Sequence, residues 1–349
     1  MKPIIPNHKR KHTASMLCMC LLIGALTISG CGKQTAHVSQ NNVPYPAESG
    51  SVFTDFANHL ESVRQILKIP GMSAAIVEDQ ELVWAEGFGY ANLENQIEAS
   101  PDTPYGLASV TKPVAAVIIM QLVEEGLIDL DAPIANYGVT LLGNEITVRH
   151  LLTHTSEGIP GSKHEYNGSR YGYLSGVIEG ATGKTFAENL SERILLPQGM
   201  DNTALNPISN WGGPSQIGLA NFKLMLFWGE AFKNYPHVYT RLAQPYQFDS
   251  EYNIVPGMYH LYHNTGAGLI SSVTDLAKFD IALDKDMLLG EAAKNEMFSP
   301  AYSTYENRSD LNYGLGWYVQ DFEGLSSCGT AGVGLHPHPH CFSKSPRKT

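Results

Sequence analysis

The sequence predicts a mixed α/β domain, and three stretches predict it. Met72 to Val77 and Leu82 to Tyr90 are apolar runs joined by Glu78-Asp79-Gln80-Glu81, the pattern of a hairpin of two buried antiparallel strands. Val114 to Val123 is apolar nearly all round apart from Gln121, which reads as a buried helix. Helical spacing then recurs until Tyr313 to Val319, which reads as a strand carrying Gly314, Gly316 and Trp317.

The chain has 349 residues, 43% apolar and 16% charged, which suits a globular enzyme and excludes wholesale disorder. Its first thirty residues stand apart. Lys2, Lys9, Arg10 and Lys11 are followed by an apolar run, Met16 to Ile28, too short to span a bilayer comfortably. Ile28-Ser29-Gly30-Cys31 closes it and resembles a bacterial lipoprotein signal, which implies lipid attachment at Cys31. The expected location is the cell envelope, facing outside the cytoplasm. Residues 31–51 are polar and read as a tether. Cys18 and Cys20 fall in the signal and Cys328 and Cys341 near the end, so no disulfide framework is expected. The net charge is −11, and loss of the leader makes it more acidic, which excludes nucleic acid as a partner.

Val52 to Leu67 has helical spacing, broken at Ile69-Pro70-Gly71. Gly87 and Gly89 in the second strand predict close packing or a bulge. Gly126 reads as the stop of the buried helix. Further helices are expected over Thr147 to Thr155, Tyr171 to Gly180, Thr185 to Leu196 and Ser271 to Ala282. Asn206 to Tyr262 reads as loops with scattered helix.

Ser109 and Lys112 head the buried helix in Ser109-Val110-Thr111-Lys112. Three residues apart, they share a helix face. A helix start favours negative charge on the hydroxyl. A lysine in a dry pocket loses its proton more easily and can accept one from that hydroxyl. The plainer reading is a capping serine and a snorkelling lysine. His154 reads as a structural residue that hydrogen-bonds a loop near the site.

Several separate stretches then match one family in order and spacing. They are Ser109-Val110-Thr111-Lys112, Leu151-Leu152-Thr153-His154-Thr155-Ser156, Tyr166-Asn167-Gly168, Pro197-Gln198-Gly199-Met200 and Tyr313-Gly314-Leu315-Gly316-Trp317. Over about residues 52 to 325 the chain resembles the serine β-lactamase-related hydrolases: class C β-lactamases, D-Ala-D-Ala carboxypeptidases and related esterases. The resemblance implies an antiparallel sheet flanked by helices, with an all-helical insertion. It implies Ser109 as the acylated nucleophile, Lys112 as its helper, and Tyr166 as a base or proton shuttle held below its free pKa of about 10 by the lysine. No metal or cofactor is implied.

Two departures accompany it. The family's second motif runs Tyr-x-Asn, whereas here Gly168 takes the asparagine's place and Asn167 stands one position early. Asn167 is the candidate substrate-binding residue; if it does not serve, esters are favoured over amides. The third motif, a Lys-Thr-Gly or His-x-Gly strand, is not found after Trp317. The chain continues instead as residues 326–349, in which His336-Pro337-His338-Pro339-His340 and Lys344 to Thr349 lack strand alternation, and Pro337 and Pro339 argue against a ladder. The tail reads as a shifted reading frame, the sheet as incomplete, and low or no activity is expected. His336, His338 and His340 could suggest a metal site, but prolines hold them extended and no further ligand adjoins. The function expected is acyl transfer to water from cell-wall D-Ala peptides, β-lactams or small esters. The alternative is a non-catalytic binding protein or an inactive truncated remnant of the family at the cell envelope.

Overall fold

The computed structural model describes residues 52–143, 145–206, 235–259, 262–305, 308–322, 325–333 and 339–344. The leader, Cys31, the tether and His336 to His338 lie outside them. The centre is helix α2 (Thr111–Glu124), whose residues Val114 to Met120 are essentially inaccessible, as its apolar run predicts. It ends where expected, with Gly126 at φ +71° just past the cap.

Before it come α1 (Val52–Ile66), the hairpin β1 (Gly71–Glu78) and β2 (Glu81–Asn92), and short β3 (Ile97–Glu98) and β4 (Tyr105–Gly106). Phe53 and Phe56 of α1 pack on Trp84 of β2, at 6.5 and 5.4 Å between ring centres. Both glycines of β2 behave as read: a Cβ on Gly87 would lie 2.2 Å from the Ala99 carbonyl oxygen, and Gly89 has φ +65°. The hairpin is half-buried rather than buried, however. Among the described residues β1 pairs only with β2, so its outer edge is left without a ladder.

The helical insertion follows: α3 (Val148–Leu152), α4 (Gly168–Tyr171), α5 (Leu174–Thr182) and α6 (Phe186–Leu190). The last continues through a π-turn, Ser191–Leu195, into α7 (Leu196–Gln198). Thr147 and Thr185 cap α3 and α6, each through a reciprocal capping box. Beyond β5 (Ala204–Leu205) come α8 (Pro236–Thr240), the ribbon β6 (Tyr246–Phe248) and β7 (Ile254–Pro256), and β8 (Leu269–Ser271). Strand β8 runs between β4 and β5, so it ties the segment before Ser109 to the insertion. Then come α9 (Val273–Asp284), capped by Ser272, and α10 (Glu291–Met297).

The C-terminal third corrects two expectations. Tyr313 to Val319 is not one strand. β9 (Tyr302–Tyr305) pairs with β10 (Arg308–Tyr313), the chain turns over Gly314 to Trp317, and β11 (Tyr318–Phe322) returns. Gly316 at φ +82° makes that turn, and its missing Cβ leaves room for the Tyr171 hydroxyl and Ala116. Nor is the tail free of strands. β12 (Leu325–Val333) and β13 (Pro339–Lys344) complete a five-stranded antiparallel sheet, ordered β13-β12-β11-β10-β9. Pro339 is tolerated because it opens an edge strand, where a missing donor costs little. β12 lies close to the turn bearing Ser109.

Candidate active site

Ser109 sits in a 3₁₀ turn, Ala108–Val110, that runs directly into α2. Ala108 adopts φ +46°, a left-handed conformation rare for a residue with a Cβ. The turn is braced from β8. The Leu107 amide donates to the Leu269 carbonyl at 2.8 Å, the Leu269 amide to the Thr111 hydroxyl at 2.9 Å, and that hydroxyl to the Ala108 carbonyl at 2.6 Å. Ser109 itself stays half-exposed and reachable by a substrate.

Two groups meet at its hydroxyl. Lys112 Nζ lies 2.9 Å from Ser109 Oγ, and the Tyr166 phenol donates to the same oxygen at 2.8 Å. Lys112 is 1% exposed, donates to the Gly266 carbonyl at 2.7 Å, and lies over the rings of Tyr166 and Tyr171. Burial lowers its pKa to about 7. Among the described residues no carboxylate pairs with it, so near neutrality the amine can take a proton.

The tyrosine departs from expectation. Tyr166 is 44% exposed, so its desolvation is partial, yet burial still pushes its pKa up rather than down. That burial outweighs the hydrogen bond with Ser109, which by itself would favour the phenolate. Tyr166 is therefore placed as a neutral donor toward Ser109 Oγ, and Lys112 is the neighbour whose pKa lets it accept a proton near neutrality.

Asn167 is also placed differently. Its side-chain oxygen caps α4 by accepting from the Arg170 amide at 2.9 Å, and its side-chain nitrogen donates to Glu157 at 2.5 Å. Both ends are thus engaged in holding the loop. Gly168 faces Lys112 instead: an added Cβ would stand 3.6 Å from Nζ.

The five-stranded sheet brings β12 alongside the Ser109 turn, contrary to the expectation that no strand lies there. It contains neither lysine nor histidine. The sequence reading missed Gly266, whose carbonyl holds the lysine, and Tyr171, whose phenol donates to the Lys112 carbonyl at 3.1 Å. Neither carries a local signal, since both meet Lys112 from distant segments.

A protein-family model described as beta-lactamase matches residues 56–338. Penicillin-binding protein 4* of Bacillus subtilis (strain 168) is 25% identical over 280 residues, covering 70% of this chain and 58% of that protein. A putative penicillin-binding protein, PbpX, of the same organism is 26% identical, covering 74% of this chain and 65% of that protein. The chain thus spans less than two thirds of the length of either. Among solved structures, the octameric penicillin-binding protein homologue from Pyrococcus abyssi superposes with a TM-score of 0.68 at 25% identity, over 81% of this chain and 68% of that one. A D-amino acid amidase from Ochrobactrum anthropi shares the fold at a TM-score of 0.60 and 21% identity, over 80% of this chain and 85% of that one.

Proposed function

The chain belongs to the beta-lactamase family, and from that premise we propose that it is a serine hydrolase transferring acyl groups to water through an ester on Ser109. The observation that carries this is the meeting of a buried, readily deprotonated amine and a neutral phenol on one serine oxygen. Lys112 accepts the serine proton as Ser109 Oγ attacks the substrate carbonyl. Tyr166 donates to the oxygen in the resting state and passes its proton to the leaving group as the tetrahedral species collapses. The protonated lysine then restores the phenol's proton. Water repeats the sequence on the ester and frees the serine.

Substrates of this chemistry are D-Ala cell-wall peptides, β-lactams or small esters. The engagement of Asn167 within its own loop favours esters among them. Incubation with a fluorescent penicillin and with a fluorophosphonate tests the reading. Label is expected on the wild-type chain, more readily from the fluorophosphonate, and not on Ser109→Ala. A wild-type chain that takes neither label supports the inactive-remnant alternative.

The leader supports a second proposal, attachment to the cell envelope by lipid at Cys31, which brings a cell-wall substrate within reach. The wild-type chain should partition into detergent and Cys31→Ala should not. Equal partitioning would remove the anchor.

A further inference from the structure

His154 carries two local costs. Its backbone is left-handed, at φ +54°. Its ring is buried, with Nε2 lacking any hydrogen-bond partner. Strain of this kind persists where the surroundings impose it, and it clusters at functional sites.

What His154 touches explains why the costs are borne. Its carbonyl accepts from the Glu165 amide at 2.7 Å. Its Nδ1 accepts from the Asn167 amide at 3.1 Å. Its ring packs on the ring of Tyr166 between them, at 4.2 Å. One residue therefore grips the chain on both sides of Tyr166 and the side chain itself. The left-handed backbone lets carbonyl and ring face the same loop. Because Nδ1 accepts, the ring proton sits on Nε2; the ring itself lies against those of Tyr171, Tyr313 and His164.

Resting on the hydrolase reading above, we propose that His154 is a positioning residue, which holds the Tyr166 phenol against Ser109 by clamping residues 165–167 and thereby sets the rate at which Ser109 reacts. Burial, then Lys112, then His164 hold its pKa down to about 2, so the ring is neutral and Nδ1 stays an acceptor near neutral pH. A phenylalanine would pack the ring without the orphan nitrogen but would leave the Asn167 amide unpaired.

The test is a double-mutant cycle on the rate of fluorophosphonate labelling. His154→Phe keeps a ring and removes the acceptor. His154→Asn keeps an acceptor near the Nδ1 position, loses the ring, and tolerates the left-handed backbone. Each is made alone and together with Tyr166→Phe. In the parent, His154→Phe should slow labelling by about tenfold or more, as small misplacements of reacting groups do, and His154→Asn by less. Neither should slow it further once Tyr166 is phenylalanine, because the loss acts through the phenol. An equal loss in both backgrounds would make His154 structural only and overturn the proposal. Amide hydrogen exchange gives a second readout that needs no turnover. Asn167 should exchange faster in His154→Phe while Glu165 keeps its protection, and unchanged exchange at Asn167 overturns the clamp. If wild type takes no label at all, the hydrolase reading fails, and exchange alone decides whether the clamp exists.

Discussion

Replacing Lys112 with methionine should leave a folded chain whose Ser109 is labelled about a thousandfold more slowly, the usual scale for losing a positioned base. Nζ stands 2.9 Å from the hydroxyl, and no other base among the described residues is hydrogen-bonded to Ser109. The pH profile should change with it. Burial puts the lysine's pKa at about 7, so wild-type labelling should climb as pH rises through 7 and then level off. The methionine variant should show no such limb. Stability carries the same signature. The folded pKa lies below the value of about 10.4 for a free lysine. Between the two, the unfolded chain binds more protons, so the folded state gains stability as pH rises from 7 toward 10. The wild-type urea midpoint should rise across that window relative to Lys112→Met. Labelling of the methionine variant within tenfold of wild type would move the base elsewhere.

The largest effect on stability is expected at Trp317. Truncation to alanine should cost about 3–5 kcal/mol by urea unfolding, the range for removing a large buried aromatic. Trp317 is wholly inaccessible and meets Phe298 edge-on at 5.2 Å between ring centres. It closes the turn whose Gly316 lies against Tyr171 and α2, so the cavity would open beneath the helix that carries Lys112. A loss below about 1 kcal/mol, far under the range for such truncations, would show that the turn packs more loosely than the structure indicates.

How much of this was legible in the chain differs by residue. The buried helix could be read because α2 is apolar on every face. Thr147, Thr185 and Ser272 announced helix starts, because a capping side chain answers amides two or three residues away. Gly87, Gly89 and Gly126 marked the places where the backbone needed them. By contrast, Tyr313 to Val319 was read as continuous strand because its apolar residues suit a strand, while the turn depends on Gly316 meeting Tyr171 and Ala116. The tail's strands were hidden for a similar reason. A strand rich in Ser, Gly and Thr shows no alternation, and β11 supplies the ladder that selects it.

Of the site, the sequence by itself determined the local pair: a serine and a lysine one turn apart at the head of a helix that must be buried. It also supplied the tyrosine that the family resemblance matched. Only the tertiary structure sets the two candidate bases apart in pKa. That depends on desolvation, which comes from packing by distant segments and lowers the lysine while raising the phenol. It likewise engages Asn167 in bracing its own loop and gives His154 its hold on Tyr166. Spacing along a chain sets which groups can share a helix face. Charge state and aim follow from what the rest of the fold places around them.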